Sequence, residues 1–236
     1  MNLQESKQII NGSKNIYLIA SAEPEAIASV LALFYTLRGL NKNVNLILDD
    51  IPENLKFLAP SLEDFISYPK SFVISIPDNV AKISQIYYEK KQDNLKIYLT
   101  LESGIIKKDN ISFYFSEQKP DLVIAVGIRD YMKELSEKLD PFGFLLDCLI
   151  LNIDNSKDNK NFGKINLIKE GGLSEIVFGL IDIDGLTKKS ATCLLTGLVI
   201  HSENFQKNVT AETFQIASNL IKIGADLKEI NNHLKH

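Results

Sequence analysis

An α/β fold built on a mainly parallel sheet is what the sequence predicts, and three observations predict it. Strand-like, helix-like and strand-like segments follow one another between Asn15 and Leu48. The same alternation resumes at Asp121 and ends on Asp154. Between these stretches Leu95, Ile97, Leu99 and Leu101 alternate with Lys96, Tyr98 and Thr100, a period of two that belongs to antiparallel pairing. The expectation is a Rossmann-like sheet flanked by helices, with an inserted antiparallel β-hairpin. The chain is read as one domain over residues 1–236, with a β-rich insertion at about 68–117.

The elements follow in order. Asn15 to Ala20 is apolar enough for a strand buried on both faces. Pro24 suits the first turn of a helix, and Ile27, Val30, Leu31, Phe34 and Leu37 recur at helical spacing, with Gly39 as the stop. Asn43 to Leu48 completes a right-handed βαβ unit. Phe72 to Ile76 is strand-like. Ile83 to Glu89 and Leu95 to Leu101 form a hairpin around the polar turn 90–94, with one face buried, and Ile111 to Phe115 adds a strand. Asp121 to Val126 is a strand, Asp130 to Lys138 a helix, and Cys148 to Ile153 the next strand. The Asn-, Lys- and Asp-rich stretch 155–161 reads as a linker. From Leu173 onward the pattern is helical. Thr187, Thr210 and Asp226 are placed to cap helices, and Gly224 to stop one.

Composition excludes several classes. Of 236 residues, 45% are hydrophobic and 24% charged, as in ordinary globular chains. The net charge of −4 lacks the broad basic footprint of duplex-binding proteins. The longest apolar runs are too short to span a bilayer, and Met1 to Asn11 carries no signal-peptide core, so a cytoplasmic protein without membrane association is expected. Cys148 and Cys193, each within an apolar segment, read as two small buried hydrophobes. Gly171-Gly172 reads as a turn before a helix. Tyr87, Tyr88 and Tyr98 read as cross-strand packing residues or, alternatively, as a surface on which bases stack. Lys90, Lys91, Lys107 and Lys108 read as solvated turn charges.

In an open α/β sheet, ligands collect beyond the carboxyl ends of the strands. Glu23 and Glu25 follow the first strand, and Asp154 ends a later one. Carboxylates converging from separate strands are what a hard divalent cation requires. Acidic residues at a helix N-terminus also complement its dipole, which is the structural alternative for Glu23 and Glu25.

Four blocks of the chain, Ile19 to Ser29, the strand from Asp121 to Gly127, Asn152 to Gly163 and Leu194 to His201, resemble the DHH-family phosphoesterases of the RecJ-like and oligoribonuclease types. In that family the first block is a strand ending in His, followed by Asn-Pro-Asp-x-Asp-Ala-x-Gly-Ser. The matching segment here is Ile19-Ala-Ser-Ala-Glu-Pro-Glu-Ala-Ile-Ala-Ser29, which sets Ile19 at the His and Glu23 and Glu25 at the two Asp. The second block, a strand ending in Asp, puts Gly127 at that Asp. The third, Asp-His-His and a loop to Phe-Gly, corresponds to residues 152–163. Asp154, Asn159, Phe162 and Gly163 match, but Asn155 and Ser156 replace both histidines. In the fourth, Leu194-Leu-Thr-Gly197 is intact and His201 stands where the family has Asp.

The resemblance implies a two-metal hydrolase fold whose ligand set is degenerate at Ile19, Gly127, Asn155 and Ser156. Glu23, Glu25, Asp154 and His201 remain as a residual or vestigial site, and all four are expected in one cleft. The Asp expected at Gly127 would bridge the two metals. The family's C-terminal substrate domain with its Gly-Gly-His motif is expected to be missing. The leading expectation is therefore a catalytically inactive or weak module that binds a nucleotide, a short nucleic acid or a protein partner. No resident cofactor is expected, beyond at most a single manganese or magnesium ion. Two rivals remain: an active phosphoesterase with a rebuilt one-metal site, and an assembly protein that uses the β insertion, as a homo-oligomer or with another protein.

Overall fold

The computed structural model describes residues 3–48, 50–61, 71–91, 94–116, 120–135 and 148–234. The chain divides into two compact units, Met1–Ile66 with Lys119–His236, and Ser67–Gln118.

The first unit is α/β. Its strands are β1 (Asn15–Ala20), β2 (Asn43–Ile47), β7 (Leu122–Val126), β8 (Leu149–Asp154) and β9 (Ile165–Ile168). They form one parallel sheet in the order β2-β1-β7-β8-β9. Its helices are α1 (Leu3–Gly12), α2 (Pro24–Gly39), α3 (Tyr131–Glu134), α4 (Leu173–Leu180), α5 (Lys188–His201), α6 (Ala211–Ile223) and α7 (Leu227–Leu234). Alternation along β1 splits the core. Ile16, Leu18 and Ala20 join a large cluster with α2, α4 and α5, while Tyr17 and Ile19 face a smaller one with Val123, Ala125, Ile128 and Ile150.

Helix α2 lies at the centre. Every residue from Ala26 to Leu37 is buried, beyond the single apolar stripe its spacing predicts, because α5 packs against it as well as the sheet. Close approach is set by Gly197 on α5. A Cβ there would sit 1.9 Å from the Ser174 hydroxyl oxygen, which is itself 2.8 Å from the Ser29 hydroxyl on α2. The predicted caps are present. Thr187 accepts from the backbone N–H of Ser190, Thr210 from that of Thr213, and Asp226 from those of Lys228 and Glu229. Gly224 adopts the left-handed conformation at φ 116°.

The second unit is antiparallel. β3 (Ser71–Ser75) pairs with β6 (Ser112–Ser116), and β4 (Ala81–Lys91) pairs with β5 (Asn94–Gly104) as a hairpin. The Tyr87 and Tyr98 rings stack at 4.7 Å across the strands, which is the packing role.

α2 stops at Gly39, as expected, and the left-handed residue beyond it is Asn41, φ 58°, whose short amide side chain tolerates that conformation. Four sequence expectations need correction. The hairpin arms extend to Lys91 and Asn94, so the turn is tighter than 90–94. Its apolar face is not buried: Leu95 and Ile97 are 62% and 47% exposed, since alternation reports a common face but not what covers it. The stretch 155–161 is no linker, because its Asn159 is buried and hydrogen-bonded on all sides. The helix after Asp130 spans only Tyr131–Glu134, and residues 136–138 lie outside the described residues. Helix α1 and the edge strand β9 carry signals the sequence reading passed over. In β9, Ile165 and Leu167 are buried while Asn166 and Ile168 are only half-buried, a four-residue alternation too short to stand out.

Candidate functional site

With β7 counted third in the sheet, the strand order is 2-1-3-4-5, so the order in which strands are added reverses between β1 and β7, although the two run parallel. Crevices outside the carboxyl ends at such a switch point are where doubly wound sheets bind ligands. The β1 and β7 ends are tied here by the Ser21 N–H donating to the Val126 carbonyl, 3.0 Å, and β7 is tied to β8 by the Gly127 N–H donating to the Ile153 carbonyl, 2.9 Å.

The loop after β1 launches α2 with Glu23 as N-cap residue and Pro24 in the first turn, which aims Glu25 off that turn. The Glu25 carboxylate is largely buried and lies 3.1 Å from His201 Nδ1, at the last residue of α5. Its other oxygen accepts from the Ser174 N–H at 3.3 Å, so Glu25 sits at the N-terminal end of α4, where the helix dipole favours negative charge. Gly172 makes room for the pair. A Cβ there would lie 3.1 Å from Glu25 Oε1 and 3.2 Å from the His201 ring. Gly171, at φ 117°, forms the turn into α4.

The other acidic residues have different partners. Glu23 is half-exposed and accepts from the Arg129 guanidinium at 2.7 Å. Asp154 has no exposed surface. It accepts from the Asn155 N–H at 2.9 Å and the Asn159 side-chain amide at 2.8 Å. Arg129 and Asn159 were not singled out as site residues from the sequence. Asn159 was visible only as a matched family position, and nothing local marks Arg129. Of the positions that the family resemblance marks as degenerate, Ile19 is core beneath the sheet. Asn155 donates to the Gly171 carbonyl at 2.9 Å, and the Ser156 hydroxyl accepts from the Asp158 N–H at 3.2 Å. Gly127 is left-handed at φ 68°, and a Cβ there would lie 2.8 Å from both the Ala26 Cβ and the Ser21 Oγ. Among the described residues, no three His, Cys, Asp or Glu side chains are arranged to hold a metal ion, and no helix is long and apolar enough to cross a membrane.

Electrostatics at Glu25 is dominated by burial, which raises its carboxyl above the ordinary 4.5; the His201 imidazole and the N–H groups of Ser174 and Leu173 oppose it. Between the ordinary value and the raised one, the native chain binds more protons than the unfolded chain. Stability from this group is therefore full below pH 4.5 and falls as pH rises through the native value. Glu25→Gln cannot ionise and should lack that decline. Urea midpoints taken at a series of pH values for both chains check this, and parallel curves would show that burial at Glu25 is not linked to folding.

No protein-family model matches the sequence, and neither does any curated protein. Among solved structures, an exopolyphosphatase-related protein from Bacteroides fragilis superposes with a TM-score of 0.67 at 17% identity, over 98% of this chain. This chain spans 59% of the length of that protein. What the two share is the α/β architecture with its parallel sheet, and in fold this chain is similar to that exopolyphosphatase-related protein.

Proposed function

We propose that this chain is a degenerate DHH-type phosphoesterase module that binds a nucleotide, a short nucleic acid or a protein partner, with metal-dependent hydrolysis weak or lost. The observation that carries the reading is the occupancy of the acidic side chains by protein groups. A guanidinium sits on Glu23, an imidazole and a backbone N–H on Glu25, and amide groups on Asp154. Two-metal catalysis needs carboxylates free to clamp both ions and a group between them. The donor set does not fit such a centre, since the position between the strands is Gly127, whose Cβ space is already filled. A cation entering here must first displace Arg129 or break the hydrogen bond from the Asn159 amide to Asp154, and each loss lowers its net affinity.

The experiment is a manganese titration of the full chain with product detection on short oligonucleotides, nucleotide phosphates and polyphosphate. The expected result is weak metal binding and no enzyme-like turnover. Robust manganese-dependent hydrolysis abolished by both His201→Ala and Asp154→Ala would replace this reading with a one-metal enzyme built on the Glu25–His201 pair.

A further inference from the structure

The antiparallel unit leaves strand edges open. Among the described residues β4 and β5 pair only with each other, so the outer edge of each presents a row of backbone N–H and C=O groups, a template for another strand. A two-stranded ribbon is marginal by itself, and three or more strands with an apolar face are needed for independent stability. The apolar face is present. Ile83 stands opposite Leu101, Ile86 opposite Leu99, Tyr88 opposite Ile97 and Lys90 opposite Leu95, and Ile86, Tyr88, Leu95 and Ile97 are exposed.

The two edges differ in what they accept. A second copy of β4 laid antiparallel on β4 about its middle residue, Ile86, would set Lys82 opposite Lys90 in both directions, and like charges directly opposite are unfavourable. The β4 register also shifts at Ile83 and again before Gln85, an irregularity of the kind that blunts an edge. On β5 the same operation succeeds. Laid antiparallel on its own copy about Leu99, β5 pairs along all 11 residues, Asn94 opposite Gly104. Lys96 then faces Glu102 of the second copy, Ile97 faces Leu101 and Tyr98 faces Thr100, each twice. A shift of one residue would put the apolar face of one copy on the polar face of the other, and a shift of two would leave Lys96 and Glu102 unmatched. Both charges are available. Glu89, opposite Lys96 within the ribbon, is taken by Lys91 at 2.9 Å and by the Tyr98 hydroxyl at 3.2 Å, and among the described residues neither Lys96 nor Glu102 has an ion pair.

We propose that the chain forms a two-fold dimer in which β5 pairs antiparallel with β5 of a second copy, joining two ribbons into a four-stranded sheet ordered β4-β5-β5-β4. The two-fold axis passes through the Leu99 pair, so every contact occurs twice, as an isologous interface requires. The reciprocal Lys96–Glu102 pairs fix the register, and the Ile97–Leu101 pairs extend the apolar face across the junction. The guarded β4 edges lie outermost, so assembly closes at two copies. The proposal concerns the antiparallel unit alone and does not rest on the reading of Glu23, Glu25 and Asp154.

Sedimentation velocity of the full chain over a concentration series tests it. A strand edge is smaller than a standard interface, so a dimer with a dissociation constant of about 10–100 μM is expected. Lys96→Glu alone and Glu102→Lys alone each set like charges opposite at both pairs and should weaken association about tenfold or more. Mixed in equal amounts, the two variants again bring opposite charges together and should associate with each other as the unaltered chain does with itself. A chain carrying both substitutions should regain its dimer. Lys90→Glu, on the guarded strand, should leave association unchanged. Because the mixture and the double variant restore association, misfolding of a single variant does not imitate the expected result. A chain that stays monomeric up to about a millimolar would overturn the proposal. So would single variants that associate as well as the unaltered chain, or a mixture of the two that stays monomeric.

Discussion

Replacing Gly127 with Asp is expected to destabilise the protein by about 3 kcal/mol, from left-handed backbone strain and overpacking together, while leaving manganese-dependent hydrolysis at background. At φ 68° Gly127 holds a conformation that side chains other than Asn and Asp rarely adopt. Asp is among the more tolerant residues there, so strain supplies the smaller share. The larger share comes from the Cβ, which meets the Ala26 Cβ and the Ser21 Oγ at 2.8 Å. Ala26 lies in the first turn of α2, whose residues from Ala26 to Leu37 are all buried, so it cannot recede without moving the helix. Gly127→Ala carries the same Cβ and should cost a similar amount, which separates packing from charge. Urea midpoints and a hydrolysis assay on the three chains decide the matter. A stable Gly127→Asp chain that hydrolyses phosphate esters with manganese would mean that the site lacks only its bridge, and the proposed loss of function would then be a single-residue matter.

Truncating Asn159 to Ala should cost about 3–4 kcal/mol, because several buried polar groups lose their partner at once. The Asn159 amide donates to the Ile128 carbonyl and to Asp154 Oδ2, both at 2.8 Å. Its oxygen accepts from the Asn152 amide and the Asn161 N–H, again at 2.8 Å. Asn152 and Asp154 have no exposed surface, so bulk solvent does not reach the groups left behind. The comparison is Ser156→Ala in the same loop, which removes one hydroxyl acceptor near the surface and should cost about 1 kcal/mol or less. Equal urea midpoints for the two variants would show that the loop, not the asparagine network, carries the stability.

The sequence by itself determined the elements whose signal is local. The βαβ unit from Asn15 to Ile47, the strand ending at Asp154, the hairpin alternation, and the Thr187, Thr210 and Gly224 signals are each written in the spacing of neighbouring residues. Periodicity and capping act over a few residues, so one segment suffices to read them. It also singled out Glu23, Glu25 and Asp154 by their places after strands, and His201 through the family resemblance. What it did not carry is which groups those side chains meet. Glu25 and His201 are 176 residues apart and Glu23 and Arg129 are 106 apart, and such pairings exist only once the sheet order and the α2–α5 packing bring strand and helix ends together. The same holds for the stretch 155–161. Its composition is that of a solvated linker, yet burial of Asn159 beneath Ile128 and beside Asp154 turns it into a fixed loop. The hairpin errs in the opposite direction. Alternation placed Leu95 and Ile97 on one face, and only the tertiary structure showed that face exposed, because whether a face is covered depends on what packs on it and not on its own pattern.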